Sequence, residues 1–104
     1  MKNIFSFDKR LGISVPLFTK EWKEYSESEQ QDVLLLWENI RGGIPDRIKE
    51  LEQLINRKQA QLSDEYDFSI SCLLNSEIAE LASTINDLWL WYRVNQNMSE
   101  KIHN

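Results

Sequence analysis

Residues 46–104 contain neither glycine nor proline, and most of that stretch repeats its apolar residues at spacings of three and four. This is the pattern of helices that meet side by side. Ile44, Ile48, Leu51, Ile55, Lys58 and Leu62 form one seam, and Leu74, Ile78, Leu81, Ile85, Leu88 and Tyr92 form a second. An antiparallel hairpin pairs early positions of one arm with late positions of the other. Ile44 then faces Tyr92, Ile48 faces Leu88, Leu51 faces Ile85, Ile55 faces Leu81 and Leu62 faces Leu74, in one constant register. Lys58 falls opposite Ile78 as the polar member of the seam, its methylenes over apolar surface and its ammonium toward water. The turn is expected within residues 62–68, where Ser63, Asp64 and Asp67 supply turn and cap chemistry.

Helix punctuation agrees with this reading. Gly42 and Gly43 end whatever precedes the hairpin. Pro45 suits a first helical turn, and Asp46 and Glu50 lie near the positive end of the dipole. The apolar stripe is expected to be core rather than a ligand box.

A chain of 104 residues is expected to form one domain with a modest core. Twelve basic residues against seventeen acidic ones give a net charge of -5, which argues against a broad phosphate-binding surface. The single cysteine excludes an internal disulfide, so a reducing, cytoplasmic setting is expected. Residues 1–7 are too short and mixed for the apolar part of a signal peptide. No run approaches the roughly 20 apolar residues of a membrane span.

Ahead of the hairpin, residues 1–18 read as an arm. Ile4, Phe5 and Phe7 precede a turn-like stretch, and Leu11, Ile13 and Val15 alternate before Pro16. A short strand pair and an extended arm both fit; the extended arm, packed on the helices, is the favoured reading. Residues 19–41 read as a first helix or helix pair. Thr19 would cap a short helix with Phe18, Trp22 and Tyr25 on one face, and Ser26 to Ser28 offers a second start, with Ser28 and Gln31 in capping-box spacing. Val33, Leu36, Trp37 and Ile40 make the main stripe of this helix, broadened by Leu34 and Leu35. The hairpin arms occupy residues 44–62 and 67–96, and residues 97–104 form a polar tail.

The far end of the second arm, Leu88, Trp89, Leu90, Trp91 and Tyr92, is apolar all round. One helix partner covers only one side of it. Burial of each such side chain is worth about 1.5–3 kcal/mol, so something is expected to cover the cluster. Phe5, Phe7, Trp22 and Trp37 are the expected neighbours; a second subunit is the other solution.

Few residues point to chemistry. His103 is the only histidine and lies in the tail, which leaves a histidine base, triad or zinc site without support. Cys72 reads as a buried structural thiol. No glycine-rich phosphate loop is present: Gly42 and Gly43 lack the lysine and the preceding strand. Arg47, Lys49, Arg57 and Lys58 alternate with Asp46, Glu50 and Glu52, a mixed surface that suits helical ion pairs better than nucleic acid. Trp89 and Trp91 could stack bases, but only Arg93 accompanies them, so core or interface is the expected role.

Glu77, Glu80 and Asp87 line one helical stripe. Glu77-Ile78-Ala79-Glu80 resembles the first Glu-x-x-Glu pair of all-α nucleotide pyrophosphohydrolases of the MazG type, which hold magnesium with that pair and a later Glu-x-x-Asp pair. The later pair has no match, since Glu100 is the only acid after Asp87. That resemblance implies a metal-dependent nucleotide hydrolase as the alternative function, with Glu77, Glu80 and Asp87 as metal ligands.

Residues 48–81 resemble the UVR motif, a short helical hairpin of nucleotide-excision-repair subunits and of adaptors in protein quality control. Its pattern has an acid and a phenylalanine at the turn, then small residues, then leucine, isoleucine and leucine. Asp67, Phe68, Leu74, Ile78 and Leu81 match those places. Ile70, Ser71 and Cys72 depart from its alanine pair, and Asn75 with Ser76 from its arginine and aspartate. The resemblance implies a hairpin that binds another hairpin, with Phe68 an exposed anchor or else the plug of its own turn. It also implies a further alternative, an adaptor in a nucleic-acid-processing complex.

The expectation is therefore an all-α protein: a long antiparallel helical hairpin, with a shorter N-terminal helix and an extended aromatic arm packed at its base. The expected function is a bacterial, cytoplasmic protein–protein interaction module that docks by helix faces in coiled-coil fashion and self-associates. Phe68, Trp89 and Trp91 are the expected contact residues. No catalytic residue, cofactor, direct nucleic-acid contact or membrane contact is expected.

Overall fold

The computed structural model describes residues 4–94. Expectations about residues 97–104, including His103 and Glu100, lie outside them. The described chain runs β1 (Phe5–Asp8), β2 (Ile13–Pro16), a 3-10 turn (Trp22–Glu24), α1 (Glu27–Gly42), α2 (Ile44–Ser63) and α3 (Phe68–Tyr92). Its principal extents are 59 × 21 × 21 Å, which makes it a rod.

The hairpin of α2 and α3 is the long axis of that rod. Gly43 ends α1 and starts α2, so a single residue separates the two helices, and Pro45 sits in the first turn of α2. Asp67 caps α3: its carboxylate accepts the N–H groups of Ser69 and Ile70 at 2.8 and 3.2 Å. Ile44, Ile48, Leu51, Leu74 and Leu88 are buried along the seam, and Ile55, Leu62, Ile78, Leu81, Ile85 and Tyr92 are half-buried. Lys58 differs from expectation. Its stem is half-buried, but its ammonium donates to Glu77 Oε1 at 2.9 Å. A carboxylate one position before Ile78 lies within reach and replaces water.

Residues 1–18 depart from the expected extended arm, because residues 5–16 form a β-hairpin. Strands β1 and β2 pair antiparallel, with Phe5 opposite Pro16 and Asp8 opposite Ile13. The connection explains why. The Asp8 carboxylate accepts the Leu11 N–H at 2.9 Å, the Asp8 carbonyl accepts the Gly12 N–H at 2.7 Å, and Gly12 adopts φ +77°. Once the turn closes, pairing satisfies backbone groups that an isolated arm would leave to water. The fold is thus mostly helical with one small two-stranded sheet.

The first long helix begins within the expected start, with a different capping pair. Ser26, not Ser28, caps α1, in a reciprocal box with Glu29: the Glu29 N–H donates to Ser26 Oγ at 3.1 Å and the Ser26 N–H to Glu29 Oε1 at 2.9 Å. That backbone bond holds the Glu29 carboxyl below its ordinary value. The expected Thr19-capped helix contracts to the 3-10 turn. Its aromatic face survives: the Phe18 ring centroid lies 5.5 Å from both Trp22 and Tyr25.

The core gathers at one end of the rod, the base. Ile4, Leu11 and Ile13 from the β-hairpin, Tyr25, Val33 and Trp37 from the first helical segment, Ile44, Ile48 and Leu51 from α2, and Leu88 and Val94 are all buried there. On α1 the buried residues are Val33 and Trp37, whereas Leu35 and Leu36 are exposed. The expected stripe was too wide, because α1 touches the base with a single face.

Candidate functional site

Three groups of residues carry an expectation about function, and the fold separates them. The first is the acidic stripe of α3. Arg10, in the turn of the β-hairpin, reaches across to it. Its Nε lies 2.9 Å from Glu80 Oε1, one terminal nitrogen 2.8 Å from Asp87 Oδ2 and the other 3.1 Å from Ser83 Oγ. Glu80 and then Asp87 hold the guanidinium above its ordinary pKa. Glu77 is engaged by Lys58. Each carboxylate of the expected alternative metal set therefore has a cation against it. Among the described residues no group of three or more histidine, cysteine, aspartate or glutamate side chains could hold a metal ion.

The same turn is clamped from the other side. Arg47 on α2 donates to the carbonyl of Leu11 at 2.8 Å and of Arg10 at 3.3 Å, and pairs with Glu50 at 3.1 Å. The tip of the β-hairpin thus straddles α2 and α3, tied to each by one arginine. Nothing in the sequence reading singled out Arg10 or Arg47 for this. A cation in a turn gives no local sign of which distant carboxylate it will meet.

The second group is the aromatic end of α3. Trp91 is half-buried, its ring edge-on to Trp37 at 5.6 Å, and Phe5 stacks on Trp37 at 6.5 Å. The Trp37 indole N–H donates to the Val94 carbonyl. Arg41 lies over the Tyr92 ring at 4.4 Å and donates to the Tyr92 carbonyl at 2.5 Å. The chain's own β-hairpin and α1 therefore cover one side of the cluster. Phe7, an expected neighbour, is instead 63% exposed. Trp89 and Leu90, on the far side of α3, stay 41% and 42% exposed.

The third group is the turn of the long hairpin. Phe68 is 81% exposed and does not plug its turn; Tyr66, Ile70 and Leu73 are exposed around it. Cys72, expected as a buried thiol, is free and exposed, because it falls on the side of α3 away from α2.

The last two groups are the ends of one surface. Phe68, Cys72, Asn75, Ala79, Ala82, Asn86 and Trp89 are all exposed and recur at alternating spacings of four and three. That is a second helical seam, its positions from 75 to 89 each one residue after a position of the first, so it lies about a quarter-turn round α3 from the α2 contact, and no described element lies on it. It holds no charge. The charges of α3 are Glu77, Glu80 and Asp87, all turned toward Lys58 or Arg10. The exposed face of α2 is the opposite case, with Asp46, Lys49, Glu50, Glu52 and Arg57 in water. No protein-family model, curated protein or solved structure matches the chain. The signal for this face was present in the sequence as a second set of positions at helical spacing. It went unread because alanine, asparagine and cysteine do not register as an apolar stripe.

No helix among the described residues is long and apolar enough to cross a membrane.

Proposed function

We propose that this protein is a helix-face docking module, and that the outward face of α3 is its docking surface. One observation carries the reading: in a chain with 28% charged residues, an exposed helix face of seven seam positions carries none. A solvated face would be charged like that of α2. A neutral one, with aromatic anchors at its ends and small residues between, suits another helix laid along it. Phe68 and Trp89 are the anchors; Leu90 flanks Trp89, and Trp91 belongs to the base. The engagement of Glu77, Glu80 and Asp87 by cations supports a structural role for those acids over a catalytic one. Phe68 also serves the UVR-like reading, in which the turn end meets a partner hairpin.

Affinity capture from the native cell tests the proposal, with wild type, Ala79→Arg and Lys49→Glu compared. Ala79→Arg puts a charge at the centre of the face and touches no core residue, whereas Lys49→Glu alters the face of α2. The expected result is loss of partners for Ala79→Arg alone, with helix content unchanged by circular dichroism. An unchanged set of partners removes α3 as the docking surface.

A further inference from the structure

Resting on that reading, we propose that the occupant of the α3 face is a second copy of this chain, with the two α3 helices antiparallel about a two-fold axis between Ala79 and Ala82. The seam is its own complement in that register. Ala79 meets Ala82 of the other copy on both sides of the axis, Asn75 meets Asn86, Cys72 meets Trp89, and Phe68 lies beside Arg93. Small residues at the centre let the helix axes approach to about 8 Å, the close end of the usual range. Paired asparagines can each donate one hydrogen bond and accept one, and the second N–H of each can reach water at the edge of the seam. A two-fold contact requires a patch complementary to itself, and these pairs supply one.

Charge selects the direction. The turn before α3 is acidic, with exposed Asp64 and Asp67 and half-buried Glu65, whereas its other end carries the exposed Arg93. Antiparallel pairing sets the acidic end of each copy against the basic end of the other. Parallel pairing would set acid against acid in a chain of net charge -5. The neutral seam keeps that net charge out of the contact. Area is sufficient for a specific but modest dimer. Helix α3 has 25 residues. At about 1.5 Å per residue and a width of about 12 Å, two such faces remove on the order of 1,000 Å². That is at the lower bound for a specific interface, so a reversible monomer–dimer equilibrium follows.

Sedimentation equilibrium of the full chain, together with disulfide mapping, tests this. In a Cys72→Ser background, Asn75→Cys and Asn86→Cys are made as separate chains and oxidised with diamide, alone and mixed. The expected result is a concentration-dependent dimer, with covalent dimer forming in the mixture only. Two copies of residue 75 would lie about 16 Å apart along the axis, beyond the roughly 7 Å that a disulfide spans. Cross-linking of Asn75→Cys alone reports a parallel dimer and overturns the register. A chain that stays monomeric at millimolar concentration overturns self-pairing. Ala79→Arg is expected to weaken the dimer at least ~100-fold, because it sets two like charges together at the axis. If the chain is monomeric and Ala79→Arg still abolishes partner capture, the docking face stands and only its occupant is wrong. If Ala79→Arg changes neither measurement, both readings fall.

Discussion

Gly12 occupies a backbone conformation that side chains resist, and a side chain there would also collide. Its φ is +77°, and a Cβ built on it would lie 2.3 Å from Arg47 Nε. Conformation and contact are linked, because Arg47 must come that close to reach the carbonyls of Arg10 and Leu11. Gly12→Ala is expected to destabilise the fold by about 1–2 kcal/mol from the left-handed backbone alone, and further if Arg47 is displaced. Urea unfolding measures the total. A loss smaller than the backbone contribution would show that the turn rearranges instead.

At the level of elements, the β-hairpin is held to the helices in two ways, and the two differ in weight. Ile4, Leu11 and Ile13 are buried in the base and supply most of the attachment. The Arg10 ion pairs with Glu80 and Asp87 are more than a third exposed on each partner, so solvent screening leaves them little net stability. Their contribution is position: one guanidinium fixes where the turn lies along α3. Arg10→Ala is therefore expected to leave global stability nearly unchanged. Exchange of amide hydrogens in the turn, read by mass spectrometry, should quicken without a change in α2. A large global loss would instead make the network a principal support of the fold.

Over the whole molecule, stability is unevenly distributed along the rod. The core lies at the base, while among the described residues toward the turn beyond Leu51 the one buried apolar side chain is Leu74. Trp37 is the centre of that base. It is wholly buried, stacks with Phe5, meets Trp91 edge-on and donates to the Val94 carbonyl. Trp37→Phe keeps a ring but leaves that carbonyl without its donor, at a cost of about 1–3 kcal/mol. In a domain of this size that is a large share of the total, so the thermal midpoint should fall by several degrees. Amide exchange in the wild type should be fastest near the turn and slowest around Trp37. The opposite gradient would mean that the hairpin, not the base, holds the fold together.

The hairpin is legible in the sequence because helical periodicity, helix breakers and caps are local. Ile44, Ile48, Leu51 and Leu88 announce their seam by spacing, and Gly43, Pro45 and Asp67 mark its ends. The β-hairpin was half legible: its alternation is in the sequence, but whether strands form depended on a turn closed by Asp8, Gly12 and a distant Arg47. The same limit hid the role of the acids. Glu77 and Glu80 have the spacing of the expected metal-binding pair, and only the fold brings Arg10 to Glu80 and Asp87 from about seventy residues away. Periodicity by itself determined which residues of α2 and α3 line the seam between them. Tertiary structure decided which remaining face of α3 is left open, because coverage depends on where residues 4–42 pack. They cover the side bearing Trp91 and leave the neutral stripe from Phe68 to Trp89 uncovered.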